Sequence, residues 1–197
     1  MYRHPQGCRY LKSDADTTAR IQVDADLRGV HSHGTRAIIG YTKQILNSRI
    51  NPCPKIHTLR EGGAFLKTDG DNGLGQVTAY KAMKQTIQKA VHSGICITTV
   101  YNTNHFGTAA YYAKMAAEAN MVGFSTSGRR KLHGNMAPFG SIEPVLGNNP
   151  FAYAIPTGND GPIVLDMATG VVAAGKIEIA KTRGEKIPFG WAITESG

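Results

Sequence analysis

The middle of this chain alternates between two hydrophobic periods, and that alternation limits the folds open to it. Residues 75–93 place Val77, Tyr80, Ala82, Met83, Ile87, Ala90 and Val91 near helical spacing, with Gly94 behind them as a C-cap. Residues 95–100 are apolar and β-branched, which predicts a strand. Residues 108–119 form an alanine-rich helix and residues 121–126 a further strand. Such switching puts the chain in the α/β or α+β class.

Upstream, residues 13–28 read as a helix, with Ser13 as N-cap, aspartates in the first turn and Gly29 as a left-handed end. Residues 35–47 give a second helix with Ile38, Ile39, Tyr41, Ile45 and Leu46 on its apolar side. Asn51-Pro52-Cys53-Pro54 stops it, and short strands are expected at 55–59 and 64–68. Beyond residue 120, further strands at 142–146, 151–155 and 163–166 are separated by Gly, Asn and Pro turns, and 171–181 is helical. The expected architecture is a mixed, mainly antiparallel sheet with flanking helices. Residues 1–60 form a helical segment, and 61–197 a larger domain that carries the sheet.

With 197 residues, 41% hydrophobic and 18% charged, the composition is that of a globular protein and too apolar for disorder. No apolar run nears the roughly 20 residues needed to cross a bilayer. Residues 1–10 are polar and basic with no apolar stretch behind them, unlike a secretory signal. The three cysteines, Cys8, Cys53 and Cys96, lack metal-ligand spacing, and they read as free thiols in a cytoplasmic, reducing setting. The net charge of +8 comes from scattered residues, apart from the cluster Arg129-Arg130-Lys131. No aromatic-basic platform accompanies it, so neither a nucleic-acid nor a membrane partner is expected. The charge reads first as a solvated basic surface, and alternatively as a field that draws an anionic cofactor or a carboxylate substrate.

Two histidines in glycine-flanked runs carry the chemistry: Gly29-Val30-His31-Ser32-His33-Gly34 and Asn102-Thr103-Asn104-His105-Phe106-Gly107. Each stands where a regular element meets a turn, within reach of a ligand, and histidine exchanges protons near neutral pH. His31 reads as an exposed polar residue, because His-x-His has no matching further ligands for a metal. Ser32 is placed to orient His33, but nothing around it resembles a nucleophile elbow. For His105, helix capping and contact with a carboxylate or carbonyl are equally good readings. Asp166 ends an apolar strand, where it would either orient a histidine or cap the next helix. Gly70-Asp71-Asn72-Gly73-Leu74-Gly75 has the wrong spacing for a dinucleotide fingerprint and reads as a tight turn before a helix.

Taken in order, G-V-H-S-H-G, N-x-N-H-F-G with A-Y-Y, A-P-F-G, G-N-N-P-F-A-Y-A-I-P, and D-M-A-T with V-A-A-G-K resemble the type 2 malate/L-lactate dehydrogenase family over nearly the whole chain. The resemblance implies a non-Rossmann domain that binds NAD or NADP. It also implies hydride transfer between the nicotinamide and C2 of a small 2-hydroxy or 2-oxo acid, and assembly as a homodimer. On that basis His33 is the expected acid/base, with Ser32 and Asp166 as its orienting partners and His105 as rival or contact. Cofactor contacts are expected from Arg129 and from Asp166, Met167, Ala168, Thr169 and Gly170.

The sequence departs from the family pattern in places. An arginine for the substrate carboxylate commonly stands where Ala37 is found, and here Arg36 is the adjacent candidate. A helix turns about 100° per residue, so the direction of Arg36 differs. Asn148 stands in place of a threonine. Family members are also longer, so the 61–197 domain is expected to be incomplete at its C-terminal side. A competing expectation is an inactive truncated relative or a basic, non-catalytic binding protein.

Overall fold

The computed structural model describes residues 11–128, 136–158 and 160–194. The first helix, α1 (Lys12–Leu27), puts Ile21, Gln22 and Ala25 fully inside. It ends as expected, with Gly29 at φ 75°. Two short 3-10 turns follow, His31–His33 and Thr35–Ala37, and lead into α2 (Ile38–Leu46). The expected helix at 35–47 is therefore present, with its first turn tightened.

The chain then forms β1 (His57–Glu61), β2 (Phe65–Gly73), α3 (Gly75–Ser93) and β3 (Ile97–Thr103). β1 pairs antiparallel with β2, and β2 pairs parallel with β3 across the α3 connection. Next come α4 (Ala109–Glu118), β4 (Gly123–Thr126), β5 (Phe151–Ile155), β6 (Ile163–Met167) and α5 (Ala174–Arg183). β4, β5 and β6 make a second, wholly antiparallel three-stranded sheet. The result is a mixed α/β fold with flanking helices, in which one sheet is mixed, the other is antiparallel, and three of the four strand pairings are antiparallel.

Three expectations need correction. The run from Gly70 to Gly75 is not a free turn: Gly70 to Gly73 belong to β2, which bulges between Asp69 and Gly73 with Asp71 and Asn72 at φ 48° and 53°. The strand expected at 142–146 is reduced to one bridge between Met136 and Leu146. Pro144 removes a ladder donor there. Cys96 is a free thiol, but Cys53 is disulfide-bonded, so the reading of all cysteines as free fails at Cys53. Spacing along a sequence does not show which thiols the fold brings together. Cys8 lies outside the described residues.

Small side chains set the spacing of the second sheet. Ala109, Ala110, Ala113 and Ala117 of α4 pack on Ala152 and Ala154 of β5. A Cβ at Gly123 would lie 2.1 Å from the Ala113 carbonyl oxygen, so only glycine admits this approach. The close fit brings the start of α4 beside the end of β6. A second cluster, Tyr41, Ile50, Leu74 and Val77, ties α2 to α3.

Candidate active site

The two histidine loops meet. The His33 and His105 ring centroids are 5.4 Å apart, although 72 positions separate them in sequence. His33 closes the first 3-10 turn, where its backbone N–H donates to the Val30 carbonyl at 2.9 Å. Asp26 of α1 fixes this loop by accepting from the Thr35 N–H at 2.8 Å, from the Thr35 hydroxyl at 2.7 Å and from His31 at 3.2 Å. The Thr35 backbone bond, helped by the Thr35 hydroxyl and His31, holds the Asp26 carboxyl below its ordinary range. His31 thus braces the loop from outside. Gly34 admits the Asp26 carboxylate, which a Cβ would meet at 1.8 Å.

His105 sits between β3 and α4. Its loop is pinned where the Asn104 side chain donates to the Asn72 and Gly73 carbonyls, both at 2.9 Å. Gly75, the first residue of α3, lies against it: a Cβ there would be 2.1 Å from the Asn104 oxygen and 2.5 Å from the His105 oxygen. The last glycine of the Gly-rich run therefore makes room for the histidine loop.

The rings have different surroundings. Ser32 Oγ lies 2.9 Å from His33 Nδ1. The Tyr41 hydroxyl lies 2.7 Å from His105 Nδ1. Loss of water lowers the pKa of His33, and the Asp166 carboxylate opposes that fall. His105 keeps a face open to solvent. The protein packed around the rest of it nevertheless pushes its pKa down to about 4, and His33 adds to the effect.

Asp166 is the penultimate residue of β6 and acts on His33 through its field, while its contacts lie elsewhere. The Ala110 N–H at the start of α4 donates to it, and an Arg28 nitrogen lies 4.0 Å away. Burial raises its pKa, with the Ala110 bond, Arg28 and His33 opposing. Arg28 itself donates to Asp24 at 2.9 Å and to Thr108, the N-cap of α4, at 2.8 Å. The carboxylate thus meets the positive end of a helix as well as a guanidinium.

The other expected residues are placed as follows. Met167 ends β6 exposed to solvent. Thr169 is tied to the Asn148 carbonyl by its N–H and its hydroxyl, each at 3.1 Å. Gly170 lies against Met136 and Asn148, where a Cβ would be 2.4 Å from the methionine sulfur. Ala168 is half-buried. Arg36 is exposed on the second 3-10 turn. Arg129 lies outside the described residues. Gly175 of α5 rests on Ser32, with 3.0 Å from its ideal Cβ to that of Ser32, so the V-A-A-G-K run covers the histidine loop. Among the described residues, no group of three His, Cys, Asp or Glu side chains is arranged to hold a metal, and no helix is long and apolar enough to cross a membrane.

The family described as malate/L-lactate dehydrogenase matches residues 5–197. The chain belongs to that family. It is 48% identical over 186 residues to a malate dehydrogenase from Pyrococcus abyssi, covering 94% of this chain and 50% of that one. It is 41% identical to an L-sulfolactate dehydrogenase from Methanocaldococcus jannaschii, with coverage of 94% and 53%. Its fold matches the crystal structure of malate dehydrogenase from Entamoeba histolytica at a TM-score of 0.90 and 31% identity, over 95% of this chain and 51% of that one. The chain thus spans about half the length of these family members.

Several residues around the histidines escaped the sequence reading. Tyr41 passed as one of several apolar residues on α2, yet its hydroxyl contacts His105. Gln22 and Gln76 are both fully buried. With its amide nitrogen toward the histidine loop, Gln22 donates to the His33 carbonyl at 2.8 Å and to the Gly34 carbonyl, and accepts from Gln76 at 3.1 Å. The available signal was a glutamine on an apolar helix face, beside Ile21 and Ala25.

Proposed function

We propose that this chain takes part in hydride transfer between NAD(P) and a small 2-hydroxy/2-oxo acid pair, with His33 as the acid/base. The observation that carries this reading is the meeting of His105 with His33, which lies in the field of Asp166. Members of the family use nicotinamide cofactors, which supply or accept a hydride at the substrate's C2 when bound. His33 Nδ1 is occupied by Ser32, which leaves Nε2 to act. In reduction, His33 Nε2 gives its proton to the C2 oxygen as the ketone becomes an alcohol. In oxidation, the neutral ring takes the hydroxyl proton back. A general acid works best with a pKa near the working pH. His33 has a carboxylate to hold its pKa up, whereas His105 at about 4 stays neutral. His105 therefore serves as a contact for substrate or nicotinamide.

The residues present suit a dinucleotide. Among the described residues β6 pairs only with β5, so its other edge offers backbone N–H and C=O groups beside Asp166 and Met167, with Ala168, Thr169 and Gly170 following. These residues, with Arg129, would hold the cofactor, and both NAD and NADP suit a chain of net charge +8. On this reading the 61–197 domain supplies the cofactor face and the 1–60 segment supplies His33 and Arg36.

Relatives named for malate and for sulfolactate act on 2-hydroxy acids bearing a second anionic group. We extend that class to this chain, with Arg36 near the substrate carboxylate. A homodimer is the proposed assembly, to be checked by sedimentation equilibrium. A cytoplasmic site rests on the nicotinamide requirement alone, since the Cys53 disulfide withdraws the support of free thiols. The functional test is incubation of the chain with NADH or NADPH and a panel of 2-oxo acids, dianionic ones included. Loss of the nicotinamide absorbance is expected with the dianionic acids. An unchanged absorbance with every acid would sink the reading.

A further inference from the structure

We propose that Tyr41 is a positioning residue that locks His105 in the tautomer carrying its proton on Nε2, so that His105 presents a fixed hydrogen-bond donor to the reacting molecule. This deepens the functional reading above and rests on it.

Two groups meet the His105 ring at Nδ1. The Tyr41 hydroxyl is 2.7 Å from it, a contact in which either atom can be the donor. The Gly107 backbone N–H decides the direction. It also points at Nδ1, at 3.4 Å, and a peptide N–H can only donate. Nδ1 therefore carries a lone pair, Tyr41 donates to it, and the ring proton sits on Nε2. Among the described residues, the hydrogen bonds to the His105 ring all go to Nδ1. Nε2 is left for a ligand.

Tyr41 is itself held. It is 7% exposed and packs with Ile50, Leu74 and Val77. Its ring lies nearly parallel to that of His105, at 25° and 6.1 Å between centroids. The Gln76 amide lies beside its oxygen, and Gln76 donates to Gln22, which in turn holds the His33 carbonyl. A buried polar chain thus runs from one histidine loop to the other. Burial raises the Tyr41 pKa, with the Gln76 amide opposing, so the phenol keeps the proton it must donate. The two histidines consequently differ in kind. Ser32 can rotate its hydroxyl to give or take a hydrogen bond as His33 changes charge, whereas the Gly107 N–H beside His105 Nδ1 can only donate.

The test is nitrogen-15 NMR of histidine-labelled protein at neutral pH, without substrate or cofactor, with His105 assigned through His105→Gln. The expected spectrum shows His105 Nδ1 unprotonated and Nε2 protonated. A protonated Nδ1 overturns the proposal, and that result is read on the unaltered chain. In Tyr41→Phe the two His105 nitrogens should move toward exchange-averaged shifts while the His33 signals stay in place. Turnover of a 2-oxo acid should fall ~5- to 10-fold in kcat with KM little changed, the loss of one hydrogen bond. Unchanged His105 shifts in a folded Tyr41→Phe protein also overturn it. A correct tautomer without turnover refutes the functional reading instead, and turnover with the wrong tautomer refutes only this proposal.

Discussion

At the scale of single residues, the account turns on the unequal treatment of two histidines. Asp166 raises the His33 pKa against the effect of burial, so Asp166→Asn should let it fall. The reductive reaction needs protonated His33, and its pH–rate profile should therefore shift to lower pH in Asp166→Asn. A profile that stays in place would show that the carboxylate serves only Arg28 and the start of α4. The histidines and Ser32 were legible in the sequence because glycine-flanked polar runs leave a signature, and Asp166 because it is a carboxylate on an otherwise apolar strand. Tyr41, Gln22 and Gln76 were not. Their side chains occupy apolar helix faces, and the polar atoms that matter show only once three helices are packed together.

At the scale of elements, close approaches of backbone decide where the histidines lie. Gly75 opens α3 directly beneath the His105 loop, and a methyl group there would run into two carbonyl oxygens. Gly75→Ala should cost about 1–3 kcal/mol of stability, the usual penalty for forcing extra volume into a packed site. Thermal unfolding measures that loss, and turnover should drop with it because the His105 loop must move. A variant of unchanged melting temperature and activity would mean that the loop yields freely. The helices were readable from their 3.6-residue period and their glycine ends at Gly29 and Gly94. The bulge in β2 was not, because Gly70-Asp71-Asn72-Gly73 has the composition of a turn and only pairing with β3 makes it a strand. The lost strand at 142–146 shows the converse: an apolar run with Pro144 inside it cannot complete a ladder.

At the scale of the whole molecule, charge and titration give two further expectations. Unfolded histidine titrates near 6.5, while folded His105 titrates at about 4 and His33 is also lowered. The folded state thus binds fewer protons in that window, and stability should rise with pH from about 4 to 6.5 and fall as the pH is lowered. Asp166, raised above 3.8, acts in the opposite sense at the acid end, so the rise should be clearest toward 6.5. Chemical denaturation across that range measures it, and a flat or falling profile would contradict the lowered pKa values of the two rings. The net charge of +8 should make kcat/KM for a dianionic acid fall with added salt, since screening weakens steering at a distance. A salt-independent kcat/KM would remove the field from the account.

The central claim is that His33 exchanges the proton and His105 does not. Turnover of a dianionic 2-oxo acid, with nicotinamide binding followed by fluorescence, should be compared in the unaltered chain, His33→Ala and His105→Ala. His33→Ala should lower kcat by roughly 10²–10⁴-fold, the usual worth of a positioned acid/base, with cofactor binding kept. His105→Ala should lose less. If instead His105→Ala abolishes turnover and His33→Ala leaves it standing, the two roles are reversed and the account is wrong.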